Sequence, residues 1–95
     1  MLYIIHGFDK PDASSLRLEN YEAHKAFLSD LSAFKVTMVM SGPLVSDDGQ
    51  TMIGSFMLVE AEDRACVEAF HHADPFFKAG LWEAVTITAF VKRQG

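Results

Sequence analysis

The chain has 95 residues, of which 49% are hydrophobic and 22% are charged, a composition typical of one globular domain. We therefore predict a single domain over residues 1–95. The formal charge is −5 and the few basic residues are scattered. Because nucleic-acid binding needs clustered Lys and Arg, we expect no nucleic-acid partner.

Cysteine usage and hydropathy indicate the compartment. The single cysteine, Cys66, cannot form an internal disulfide, so the sequence does not suggest an oxidising environment. The N-terminus lacks the charged and apolar segments of a signal peptide. No apolar run approaches the roughly 20 residues that span a bilayer. We expect a cytoplasmic protein with no membrane partner.

The first half of the chain predicts a strand, a long helix and a second strand. Residues 2–8 are apolar, β-branched or aromatic, which favours a strand, and residues 9–15 read as a loop. Apolar residues recur at helical spacing over residues 16–34, which predicts one helix. Residues 36–40 predict a short strand that we expect to stop at Ser41-Gly42-Pro43-Leu44.

The second half repeats the same strand–helix–strand pattern. Residues 46–49 predict a turn, and residues 51–60 predict the third strand. Residues 62–72 predict a second helix. Asp74-Pro75 predicts the start of a further helical turn, since Asp suits the N-cap and Pro the first helical position. Residues 82–91 predict the last strand.

The order βαββαβ predicts an α+β, ferredoxin-like fold with a four-stranded antiparallel sheet and two helices on one face. A sheet with one solvent-exposed side should carry a polar residue at every second position, but these strands do not. The predicted sides set Leu2, Ile4 and Phe8 against Tyr3 and Ile5, Ile53, Met57 and Val59 against Met52, Phe56 and Leu58, and Val85, Ile87, Ala89 and Val91 against Trp82, Ala84 and Phe90.

Both faces of the predicted sheet are therefore largely apolar, but the helices can cover only one. A large apolar face is unusual on a monomer, and the same face of another copy would cover it economically. We predict a homodimer with twofold symmetry. The alternative is a monomer with a ligand cavity under that face.

His24 and Asp74 are the residues of greatest chemical interest. His24 lies three residues from both Tyr21 and Phe27, on the apolar stripe of the first helix. His24 could have a purely structural role, hydrogen-bonded to a neighbouring group. Asp74 could likewise serve only as the N-cap of a helix. The two roles of Asp74 are compatible, because one oxygen can accept a backbone N–H while the other orients a histidine. A His–Asp pair is a common acid/base unit.

The other histidines and the cysteine give weaker evidence of a functional site. His71 and His72 are adjacent and point about 100° apart on a helix, so they do not form a shared metal site. His6 lies on a strand, and Cys66 reads as a small buried hydrophobe. We predict no metal site.

Several segments, in this order and spacing, resemble the YCII-related proteins nearly from end to end. They are Met1-Leu2-Tyr3-Ile4-Ile5, Arg17 and His24, Ser41-Gly42-Pro43-Leu44, Gly54-Ser55, Ala73-Asp74-Pro75-Phe76 and Ala79-Gly80. One local difference is Lys25, where many members of the family have Leu.

The resemblance implies a dimeric α+β barrel with a catalytic pair at His24 and Asp74. Arg17 matches a recurrent arginine on the same helix, and it could hold an anionic substrate or be a solvated helix charge. The Ser41-Gly42-Pro43 segment matches the loop beside the pocket, which implies substrate binding. The wider superfamily resembles one that includes muconolactone isomerase and a chlorohydroxyhydroquinone dehydrochlorinase.

We therefore predict a small-molecule enzyme, lyase- or isomerase-like, that acts on an anionic or cyclic compound by proton abstraction, elimination or isomerisation. No cofactor is needed for that chemistry. One alternative is a non-catalytic dimeric module that binds a small ligand or assists another enzyme, and another is an interaction domain without a pocket. The enzyme hypothesis requires His24 and Asp74 to lie within about 3 Å of each other beside an open cleft.

Overall fold

The computed structural model describes residues 1–95 and contains four strands and three α-helices. No helix is long and apolar enough to cross a membrane. The elements are β1 (Leu2–Asp9), α1 (Ser14–Leu28), β2 (Val36–Val45), β3 (Met52–Ala61), α2 (Arg64–Ala73), α3 (Pro75–Lys78) and β4 (Trp82–Phe90), with a 3-10 turn at Ser32–Phe34 before β2.

The four strands form one antiparallel sheet in the order β2-β3-β1-β4. The central strands β1 and β3 pair from Leu2–Glu60 to Phe8–Gly54, and β2 and β4 form the two edges. The helices cover one face, as the βαββαβ order predicts. The ferredoxin-like α+β fold is thus confirmed.

The predicted helix over residues 16–34 is too long. α1 ends at Leu28, because a side chain in the segment that follows accepts a backbone hydrogen bond in place of the helical one. Asp30 Oδ1 accepts hydrogen bonds from the N–H of Ser32 at 3.1 Å and from its hydroxyl at 2.7 Å. Local side-chain bonds of this kind compete with helix continuation. Phe34 still packs against the core, since the 3-10 turn returns it to the helix-covered face.

The predicted stop of the second strand at residues 41–44 is also wrong. β2 continues to Val45, with a register shift between Met38 and Met40. Proline lacks a backbone N–H and is found in sheets mainly on edge strands. β2 is such an edge, so Pro43 fits opposite Ser55 without breaking the ladder.

The helix-covered face of the sheet holds the hydrophobic core. Ile5, Met57 and Val59 of the sheet meet Val67, Phe70 and Phe76 of the helices, and each is at most 1% exposed. Trp82 was predicted to share a side with Ala84 and Phe90, which is wrong. A register shift after Phe8 turns Trp82 to the helix-covered face, where it is buried.

The opposite side of the sheet, here called the open face, has no helix over it. Met40 is 55% exposed and Phe8 is 53% exposed on this side. The open face has an apolar depression of about 370 Å3, bordered by the C-terminal residues Lys92, Gln94 and Gly95. Its apolar lining is Leu2, Ile4, Val39, Met40, Phe56, Leu58 and Phe90.

Candidate functional site

The loop between α2 and α3 places Asp74 against α1. Asp74 is the N-cap of α3, and its Oδ1 accepts the backbone N–H of Phe76 at 2.9 Å, as expected for an Asp before Pro75. The same Oδ1 lies 2.8 Å from Nδ1 of His24. Asp74 has no exposed surface. From the sequence we expected one oxygen of Asp74 to accept the backbone N–H and the other to contact His24. That expectation is wrong, because Oδ1 makes both contacts.

The geometry around His24 defines which ring nitrogen is free. A carboxylate without a proton only accepts hydrogen bonds, so Nδ1 of His24 carries the hydrogen that Asp74 Oδ1 accepts. Nε2 has no protein partner and is not sealed from solvent. Phe76 stacks on the ring at a centroid distance of 4.0 Å and an interplanar angle of 13°. The ring is thus held in one orientation, with Nε2 left without a protein partner.

Arg17 lies two turns before His24 on the same face of α1 and is only 3% exposed, so its reading as a solvated helix charge is wrong. Asp9 binds it through two bonds, Nε to Oδ2 at 2.8 Å and Nη2 to Oδ1 at 2.9 Å. Nη2 also donates to the carbonyl of Gly54 and the hydroxyl of Ser55, each at 2.8 Å. The remaining nitrogen, Nη1, has no protein partner and is not sealed from solvent.

Sequence reasoning missed Asp9, the counter-charge of Arg17. Nothing in residues 9–15 marks Asp9, because its position depends on the register shift between Phe8 and Asp9. It also missed the link through Ser55, whose hydroxyl accepts from Trp82 Nε1 at 3.2 Å. The Asp-Pro-Phe motif was the available signal for Phe76, which also lies beneath the Arg17 guanidinium at 4.9 Å.

A cleft of about 180 Å3 opens between α1 and the β2 edge of the sheet. Arg17 and His24 form part of one wall, and Ser41, Gly42 and Pro43 form part of the other. Asp74 does not line this cleft and lies behind the His24 ring. The fold therefore brings the predicted site residues together, and their functional roles stay predictions.

Metal binding has no support in the arrangement of side chains. No group of three or more His, Cys, Asp or Glu side chains is placed to hold a metal ion.

Comparison with protein families gives a match to the YCII-related domain over residues 1–91. The chain belongs to the YCII-related family. The chain is also similar to the protein YciI of Escherichia coli O6:H1 and to that of Shigella flexneri. Each is 32% identical over an alignment of 97 positions, which covers 97% of this chain and 98% of the relative.

Among solved structures, the chain is similar to the 5-chloro-2-hydroxyhydroquinone dehydrochlorinase TftG of Burkholderia phenoliruptrix AC1100, in complex with 2,5-dihydroxybenzoquinone. The TM-score is 0.84 at 36% identity, covering 96% of this chain and 94% of that one. An antibiotic biosynthesis monooxygenase shares the fold at a TM-score of 0.56 and 19% identity, covering 99% of this chain and 100% of that one.

Proposed function

We propose that this YCII-related protein is a small-molecule enzyme in which His24, oriented by Asp74, acts as a general base. The observation that carries the proposal is the 2.8 Å contact between His24 Nδ1 and Asp74 Oδ1, which leaves Nε2 free beside the cleft. The similarity to a dehydrochlorinase at 36% identity supports the same reaction style. Fold similarity alone would not, because one fold serves many functions.

The proposed chemistry is proton removal followed by elimination or isomerisation. His24 Nε2 takes a proton from the bound compound, and the buried carboxylate of Asp74 stabilises the resulting imidazolium. In an elimination, the electron pair left behind expels a leaving group such as chloride. In an isomerisation, the proton returns to another atom. Neither route needs a cofactor.

The size and walls of the cleft favour a small cyclic compound with oxygen substituents. At about 180 Å3 the cleft is smaller than the roughly 300–1,000 Å3 typical of drug-sized ligands. Arg17 Nη1 and the Ser41 hydroxyl are polar groups on its walls that can bind a phenolate or quinone oxygen. We propose substrate-binding roles for Arg17 and for Ser41, Gly42 and Pro43.

The first test is turnover of 5-chloro-2-hydroxyhydroquinone, followed by chloride release under anaerobic conditions. We expect Asp74→Asn and His24→Gln to lower kcat by roughly 10²–10⁴-fold, the usual contribution of a positioned acid/base group. His72→Gln is the matched control, since His72 is exposed and lies outside the cleft. Wild-type-like turnover in the His24 variant would exclude His24 as the base.

A second candidate is a binding module without catalysis, and one observation favours it. The charge of Arg17 is already neutralised by Asp9, which weakens its pull on an anionic substrate. Titration with 2,5-dihydroxybenzoquinone, followed by Trp82 fluorescence, separates the two candidates. Saturable binding that persists in His24→Gln, with no turnover of any chlorinated hydroxyhydroquinone by the wild type, would favour the binding module.

We also propose that a second copy of the chain covers the open face, in the manner of a dimeric α+β barrel, and that the protein works in the cytoplasm. The support is the apolar depression of about 370 Å3, which the half-exposed Met40 helps to line, and the half-exposed Phe8 elsewhere on the same face. Light scattering over a dilution series tests the dimer. A monomer that persists at micromolar concentration would favour the alternative, a ligand cavity on that face.

A further inference from the structure

A second groove of the protein lies away from the proposed active site. It has a volume of about 380 Å3 between α2 and β4, and His71, His72, Phe77 and Trp82 contribute to its walls. His71 is only 4% exposed, although it lies in the wall of the groove. The proposed function does not use this histidine.

Two buried side-chain atoms of the chain have no protein hydrogen-bond partner, and they are Nδ1 of His71 and Oδ2 of Asp74. Leaving such a group unpaired costs about 1–3 kcal/mol, so native proteins normally satisfy it with protein or with ordered water. Nδ1 is sealed from solvent and therefore faces the protein interior rather than the groove. A carboxylate oxygen only accepts hydrogen bonds, and an imidazole N–H is a suitable donor.

The two atoms belong to neighbouring parts of the same turn. The backbone N–H of Asp74 donates to the carbonyl of His71 at 3.2 Å, which holds the residues together at the end of α2. A continuous series of rings also connects His71 to His24, the hydrogen-bond partner of Asp74. His71 stacks on Trp82 at 5.3 Å, Trp82 meets Phe76 edge to face at 5.8 Å, and Phe76 stacks on His24.

We propose that His71 is a positioning residue for the His24–Asp74 pair: its Nδ1–H donates through one buried water to Oδ2 of Asp74. Asp74 would then be held by His24 on Oδ1 and by His71 on Oδ2. The Nδ1–H tautomer leaves Nε2 of His71 toward the groove, where it is not sealed from solvent. The catalytic consequence rests on the proposed function, but the hydrogen bond itself does not.

The charges around His71 are compatible with a neutral donor. On its own helix, Arg64 pairs with Glu68 at 3.3 Å, and His72 is exposed. From β4, Glu83 contributes to the groove, and Asp74 lies on the inner side. Burial lowers the pKa of His71 from its ordinary value, with Asp74 opposing this effect and His72 adding to it.

The test uses nitrogen and proton NMR of the histidine rings in the full-length protein. In the wild type, we expect His71 to be the Nδ1–H tautomer, and finding Nε2–H with an unprotonated Nδ1 would overturn the proposal without any substitution. In His71→Phe, Asp74 loses one donor, so its bond to His24 strengthens and the His24 Nδ1 proton resonance moves downfield. An unmoved resonance would also overturn the proposal.

Two further variants separate positioning from packing. The amide of Asn reaches where Nδ1 stood, and that of Gln reaches where Nε2 stood, so we expect His71→Asn but not His71→Gln to restore the wild-type His24 resonance. His72→Phe is the control for a ring change on the same helix. If the enzyme assay succeeds, His71→Phe should lower kcat by about tenfold. A shifted resonance without measurable turnover would leave this inference intact and count against the proposed function.

Discussion

The two faces of the sheet differ in the kind of side chain that they bury and expose. On the helix-covered face, ionisable groups are sealed in: Arg17 is 3% exposed and Asp74 has no exposed surface. On the open face, Met40 and Phe8 remain about half-exposed. Enclosure keeps the polar groups in fixed geometry, whereas the apolar surface offers area for association. The comparison teaches that polar and charged side chains are enclosed on one face of the sheet, whereas large apolar side chains remain exposed on the other.

The largest effect on this difference between the faces is expected from a variant that leaves the Arg17 charge unpaired. Asp9→Ala removes the bidentate counter-charge, in which both side chains are less than 10% exposed. We expect a loss of about 3–5 kcal/mol in the free energy of unfolding, because a buried charge without its partner is strongly destabilising. Urea denaturation measures it.

Two controls define that result. Asp47→Ala removes an exposed carboxylate from a turn and should change the stability by less than about 0.5 kcal/mol. The double variant Asp9→Leu with Arg17→Met removes both charges and should recover most of the loss. A loss for Asp9→Ala no larger than that of Asp47→Ala would contradict the buried pair.

The open face gives the next largest effect. Met40→Lys places a charge in the apolar depression, so we expect the proposed dimer to weaken at least tenfold, about 1.4 kcal/mol. Sedimentation equilibrium measures the dissociation constant. Leu18→Lys is the matched control, because Leu18 is 66% exposed on α1 and far from the open face. Equal effects of the two variants would argue against association through the open face.

The smallest expected effect is a pH dependence that comes from His71. Burial lowers the pKa of His71 in the folded protein, so the unfolded chain, with a pKa near 6.5, binds the proton more readily. The neutral ring therefore contributes stability that is present above pH 6.5 and is lost as the pH falls below it. His71→Phe should lose less stability than the wild type between pH 7.5 and 5.5.

The measurement is the urea midpoint at each pH, with His72→Phe as the control for an exposed histidine. Other groups that titrate in the same range are common to the wild type and to His71→Phe, so the difference between these two profiles reports on His71. A His71→Phe profile parallel to that of the wild type would show that His71 is not held neutral by burial.

Much of the fold was predictable, because hydrophobic periodicity and turn residues act locally. The βαββαβ order, and with it the ferredoxin-like fold, followed from that pattern. The element boundaries that were predicted wrongly lie where two local backbone arrangements compete. Asp30 and Ser32 ended α1 before the apolar spacing did, and the edge position of β2 allowed Pro43 inside a strand.

The candidate site was predictable only in part. His24 and Asp74 were marked by a stripe position and by the Asp-Pro turn, together with the family resemblance. Their contact spans 50 residues, and no local signal gives its distance. Asp9 carried no signal at all, because a register shift in the pairing of β1 with β4 decides where it lies.

By itself, the amino-acid sequence determined the element order, the family and the excess of apolar residues on both sides of the sheet, since these depend on residue type and spacing. The tertiary structure decided that Arg17 is buried against Asp9, that one Asp74 oxygen serves two donors and that His71 Nδ1 and Asp74 Oδ2 are buried without a protein partner. Such contacts depend on strand register and helix ends, which are set by packing over the whole domain.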